Sequence, residues 1–139
     1  MEATRTIRLR WLRGTLHEVT SQLAHAGYPQ FAPPPWVPAI NAYRCDDCIR
    51  ICVELAGVDR SEIDLTVRER HISIRGVREV PEPEGSKQDP SVQTIAMEID
   101  YGVFQREVRL PAAIDVENVH ADQQNGLLWI HLPLKKTQS

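Results

Sequence analysis

From Tyr43 to Leu132 apolar and polar residues alternate with a period of two, the spacing that puts one face of a β-strand into a core and the other into water. Ile49, Ile51, Val53 and Leu55 alternate with Arg50, Cys52 and Glu54, and Gly57 ends the run. Ile63, Leu65 and Val67 alternate with Asp64 and Thr66, and Ile72 and Ile74 with His71, Ser73 and Arg75, closed by Gly76. Further strands are predicted over Ile95 to Ile99, Phe104 to Leu110, Val119 to Gln123 and Leu127 to Leu132. Many short strands separated by turn residues predict an all-β, immunoglobulin-like antiparallel β-sandwich.

The pattern before Tyr43 is different. Ile7, Trp11, Leu16, Val19 and Leu23 recur at spacings of three to five, which predicts an amphipathic helix over residues 5 to 26 interrupted by Gly14. Gly27 stops it, and Pro29, Pro33, Pro34, Pro35 and Pro38 forbid regular structure up to the sandwich. The expected organisation is a partly helical or disordered N-terminal arm over 1–35, a β domain over 36–133 and a short tail over 134–139. Within the β domain, residues 79 to 91 hold Pro81, Pro83, Gly85 and Pro90 among acids and serines, a composition expected to form a mobile loop.

With 139 residues the chain is large enough to build a core without disulfides, and its net charge of −3 is uneven. In the first forty residues Arg5, Arg8, Arg10 and Arg13 outnumber Glu2 and Glu18, so the body is acidic. An acidic body lacks the basic footprint of a nucleic-acid binder. No apolar run is long enough for a membrane span or a secretory signal, so the protein is expected to be soluble and cytoplasmic. The Arg-rich start has some likeness to a transit peptide, which Glu2 and Trp11 weaken.

Four segments carry a resemblance. Pro38-Ala39-Ile40-Asn41-Ala42-Tyr43, then Glu54-Leu55-Ala56-Gly57-Val58 with Ile63, resemble the first strands and turn of the α-crystallin domain of the small heat-shock protein family. Tyr101-Gly102-x-Phe104-x-Arg106-x-x-x-Leu110-Pro111 and Ala121-x-x-x-Asn125-Gly126-x-Leu128 are similar to that family's internal and C-terminal signatures. The resemblance runs from Trp36 to Leu132 and implies an ATP-independent holdase chaperone that binds unfolding client proteins and self-associates as a homodimer, with larger oligomers also open. Ala56 stands where the family has proline, and the Leu132-Pro133-Leu134 segment lies too close to the last strand to serve as the family's Ile-x-Ile tail, which puts large cages in doubt.

The apolar residues of the arm, Trp11, Leu12, Leu16, Val19, Leu23, Tyr28, Phe31 and Trp36, have no neighbouring element to bury them and are the expected client-binding set. Packing on the sandwich at rest is compatible with that role. Arg106 shares the face of Phe104, Val108 and Leu110, so it needs a carboxylate unless a bulge turns it outward. Glu98 and Asp100 are the candidates. The resemblance implies that their strand, with Ile95, Met97 and Ile99, crosses to a second subunit and forms the dimer interface with Arg106.

Enzymatic readings have less support. Cys45-x-x-Cys48 lies between strands and is flanked by Asp46 and Asp47, which disfavours a reactive thiolate, and Cys48 and Cys52 are too far apart along a strand for one metal. Plain structural thiols are the simpler reading. His17, His25, His71, His120 and His131 show no ligand spacing, and no phosphate loop or nucleophile elbow occurs, so no cofactor, metal or catalytic residue is expected. Two other functions stay open: a p23-like co-chaperone acting as a monomer on one partner, and a thiol enzyme based on Cys45 and Cys48.

Overall fold

The computed structural model describes residues 3–8 and 35–136. Among these residues eight strands run β1 (Thr4–Arg8), β2 (Ile40–Arg44), β3 (Cys48–Glu54), β4 (Ile63–Arg68), β5 (His71–Arg78), β6 (Gly102–Arg109), β7 (His120–Gln124) and β8 (Leu127–Pro133). They form two four-stranded antiparallel sheets, in the orders β1-β4-β5-β6 and β2-β3-β8-β7.

The alternating residues account for the layers. Ile49, Ile51 and Val53 of β3 and Leu128, Ile130 and Leu132 of β8 are buried against Ile63, Leu65 and Val67 of β4, Ile72 and Ile74 of β5, and Phe104 of β6. Loop residues Leu55, Val58, Leu110, Ile114, Val116 and Val119 close the ends of this core.

Two glycine sites set the geometry. β7 and β8 are joined by Asn125 and Gly126 alone, both at positive φ (54° and 78°), the two-residue hairpin turn whose twist matches the strands. Gly76 sits opposite Phe104, where a methyl group would overlap the Glu62 carbonyl and the Phe104 ring. The absence of a side chain there is what admits the ring.

Two expectations are corrected. Residues 4–8 are not the start of a helix: they form β1, paired residue for residue with β4 from Thr4↔Arg68 to Arg8↔Asp64. The rows of the sandwich explain this, since the outer edge of β4 offers unpaired backbone groups and Thr-Arg-Thr-Ile-Arg alternates with the matching period. The rest of the expected helix lies outside the described residues. Ile95 to Ile99 is not a strand within this chain, because no sheet edge reaches it. The segment between β5 and β6 is irregular and exposed apart from one short 3-10 turn, Ser86–Gln88.

Candidate subunit and client contact sites

The segment between β5 and β6 carries the most exposed apolar side chains of the described residues. Ile95 is 99% exposed, and Val92, Met97 and Ile99 are exposed as well. Glu98 and Asp100 are exposed beside them. β2 is the outer strand of its sheet, and Asn41 to Arg44 are all exposed. The chain therefore offers both an unpaired strand edge and an apolar segment of alternating pattern, two features that have no partner within the described residues.

Arg106 lies in the core-facing row of β6, opposite Ile74, and is half-buried. Its guanidinium Nη1 donates to the Pro38 carbonyl at 3.4 Å. Neither Glu98 nor Asp100 meets it within the chain, so the expected pair is not made here and a weak backbone contact stands in its place.

The buried cation among the described residues is instead Arg78, beyond the Gly76 at which the strand is expected to end. β5 continues to Arg78, and its side chain enters the core face at 7% exposure. Nε and Nη2 donate to the Asp100 carbonyl at 2.8 and 2.5 Å, and Nη1 donates to the Ala56 carbonyl at 3.1 Å. The guanidinium also lies 4.1 Å from the centre of the Trp36 ring, in cation–π contact. No side-chain signal marks such a site, since both acceptors are backbone carbonyls distant in sequence.

Trp36 is the second correction at this site. Grouped above with the client-binding residues, it is 8% exposed and packs 5.2 Å from Phe104. Its indole N–H donates to Gly102, its backbone N–H to Val103, and its carbonyl accepts from Gln105. Trp36 thus extends β6 by a parallel bridge and is unavailable to a client in this arrangement. Trp11, Leu12, Leu16, Val19, Leu23, Tyr28 and Phe31 lie outside the described residues.

At the opposite edge of the same sheet, β1 is fastened by Arg5, whose Nη1 donates to the carbonyls of Val116, Glu117 and Val119 at 3.3, 3.0 and 3.1 Å. Ile7, two residues on, packs against the core. Beyond β8, the Leu134 N–H donates to the Asp47 carbonyl at 2.9 Å and Leu134 bridges Ile114, so the Leu-Pro-Leu segment is used within its own domain.

The outer face of the β1-β4-β5-β6 sheet holds a cleft of about 360 Å³ lined by Thr66, Arg68, His71, Ser73, Arg75 and Glu107. Glu107 accepts from His71 at 2.8 Å, Ser73 at 3.0 Å and Gln105 at 2.7 Å. Desolvation opposes ionisation there, but these hydrogen bonds and the His71 and Arg75 charges win and hold the carboxyl below its usual range. The polar lining makes this cleft unsuited to apolar clients. Among the described residues no three His, Cys, Asp or Glu side chains converge as a metal site.

Comparison with known proteins decides the family. The model described as Hsp20/alpha crystallin family matches residues 42–139. The chain belongs to that family. Its relatives include spore protein SP21 of Stigmatella aurantiaca (strain DW4/3-1), 34% identical over 112 residues, covering 78% of this chain and 63% of that protein. The Hsp20-family fold is shared with heat shock protein 16.0 from Schizosaccharomyces pombe (TM-score 0.62, 25% identity, 75% of this chain and 94% of that one). It is shared equally with hspA from Xanthomonas axonopodis (TM-score 0.61, 28% identity, 73% and 97%). The chain spans under two thirds of the length of the first curated relatives it matches. In this Hsp20-family sandwich the segments that carried the resemblance fall at strand β6, whose Phe104 is in the core, and at the Asn125-Gly126 turn between β7 and β8.

Proposed function

We propose that this protein is an ATP-independent cytoplasmic holdase that binds unfolding proteins and pairs with a second copy of itself. The observation that carries the reading is the exposed row Ile95, Met97 and Ile99 beside an open β2 edge on a family-typical sandwich. Apolar surface left in water by one chain is favourable to bury against another, and the interaction is non-directional enough to suit varied clients. In the homodimer we envisage, the 95–99 segment of one chain adds to the β2 edge of the other, and Arg106 gains Glu98 or Asp100 as a partner. The apolar residues from Trp11 to Phe31 supply the main client surface. That relatives carry names such as small heat shock protein C2 supports the stress role.

The test has two parts. Mixed with a heat-labile enzyme and no nucleotide, the protein should reduce light scattering at near-stoichiometric ratios, and no suppression at any ratio would refute the holdase reading. Native mass measurement should give a dimer or a multiple of it. The triple variant Ile95→Ser, Met97→Ser, Ile99→Ser should shift that mass to the monomer, and a wild-type monomer would instead favour an adaptor acting on one partner.

A further inference from the structure

Cys45 and Cys48 face one another across the two-residue turn Asp46-Asp47 that joins β2 to β3. The Cys45 N–H donates to the Cys48 carbonyl at 2.8 Å, which makes them the last opposed pair of the hairpin. An opposed, hydrogen-bonded pair sets its Cα atoms about 5.5 Å apart, inside the range that a disulfide spans without backbone movement. Cys45 is near enough to help raise the Cys48 thiol pKa. Cys45 is exposed and Cys48 is 4% exposed, so only one of the two meets solvent. Cys52, four residues further along β3, is about 13 Å from Cys48 at strand rise and is buried, out of reach of the pair.

We propose that Cys45 and Cys48 are a reversible oxidation site, at which a peroxide converts the facing thiols to an intramolecular disulfide that latches the end of the edge strand β2 to β3. The sequence pattern alone favours inert thiols, but the hairpin sets a resolving partner opposite an exposed one. The steps balance. The Cys45 thiolate attacks one peroxide oxygen and becomes a sulfenic acid, releasing hydroxide that takes up the proton Cys45 had lost. The Cys48 sulfur then attacks the sulfenic sulfur, the S–S bond forms, and the hydroxyl leaves with the Cys48 proton as a second water. Two thiols lose two electrons and two protons, and one peroxide becomes two waters.

The order of events follows from the surroundings. Burial, the neighbouring Cys45 and the Asp47 charge all push the Cys48 thiol up, against the opposing influence of Arg50. Cys45, open to solvent, is therefore the sulfur that meets the oxidant, and Cys48 resolves. The same asymmetry slows reopening, because a reductant reaching the exposed Cys45 sulfur must expel Cys48, a poor leaving group. The latch is then an on-state that outlasts the oxidant. It acts on the strand whose outer edge is open, independently of whether that edge receives a client or a second copy.

Full-length protein treated with hydrogen peroxide, alkylated and digested after arginine should yield the 45–50 peptide lighter by two hydrogens and free of label, with Cys52 alkylated. Backbone amide exchange from Tyr43 to Cys48 should slow about tenfold in the oxidised form, and dithiothreitol should restore both readouts. In Cys45→Ser, Cys48 should remain a thiol under the same treatment. A sulfinic Cys45 beside a free Cys48, a disulfide between two chains, or unchanged exchange in the linked form would each overturn the proposal.

Discussion

Replacing Arg78 by Met keeps an unbranched apolar stem but removes every donor and the guanidinium that lies over Trp36. The carbonyls of Asp100 and Ala56 then lose three hydrogen bonds, and the indole loses its cation. A hydrogen bond from a charged donor contributes about 1.5–3 kcal/mol and a buried cation–π contact about 2 kcal/mol. The desolvation of the guanidinium, relieved in the variant, offsets part of this. The net cost should be about 3 kcal/mol, which for a domain of this size is a fall of roughly 12 °C or more in melting temperature. Arg78→Lys retains the charge but reaches one carbonyl with one donor group, so it should recover about half. Circular dichroism melts at fixed protein concentration measure the loss. In a Trp11→Phe, Trp129→Phe background, Trp36 emission should shift to the red before global unfolding as water reaches the ring. Melting of Arg78→Met within about 2 °C of wild type, or Arg78→Lys indistinguishable from it, would show that this cation does not hold the site together.

Other substitutions test the neighbouring contacts. Gly76→Ala should cost about 1–3 kcal/mol, since the added methyl overlaps the Glu62 carbonyl and Phe104, and a chemical melt matching wild type would contradict that packing. Arg106→Ala, with only a 3.4 Å backbone contact, should lower the melting temperature of the isolated domain less than Arg78→Met while raising the dimer dissociation constant in sedimentation across a dilution series; the reverse ranking would refute the assignment. Burial first, then the charges of His120 and Arg50, hold the His131 pKa down despite the opposing pull of Asp47. The folded chain thus takes up that proton less readily than the unfolded chain, so stability is complete above the ordinary histidine value near ~6.5 and is lost as pH falls through and below it. His131→Gln should flatten that slope between about pH 7 and 5 in urea titrations, and parallel slopes would count against it.

The parts legible in the sequence are those whose cause is local. The runs around Ile51, Leu65, Ile74 and Ile130 alternate because each strand has one wet face, and Asn125-Gly126 announces its turn by the conformation it alone tolerates. β1 was obscured because Ile7 also fits the helical spacing of Trp11 and Leu16, and the edge of β4 that recruits it lies over fifty residues away. The 95–99 segment has a strand's period but no edge to pair with in its own chain, so periodicity alone overstates it. Trp36 looks like linker by its prolines, yet tertiary contact with Phe104 and Arg78 draws it inward. Arg78 is invisible at the sequence level for a related reason: carbonyl acceptors carry no residue identity.

β1 and Trp36 stand at opposite sides of one sheet. β1 lies against β4, where Arg5 clamps it, and Trp36 bridges β6 at the far edge. Both flanks of the β4-β5-β6 ladder are thus covered by residues that precede it in the chain, one by a full strand and the other by a single bridge. A bare sheet edge is a template for a strand of another chain. Breaking the Arg5 clamp would therefore uncover the β4 edge and turn a shielded row of backbone groups into a second docking rail, on the sheet opposite the open β2 edge.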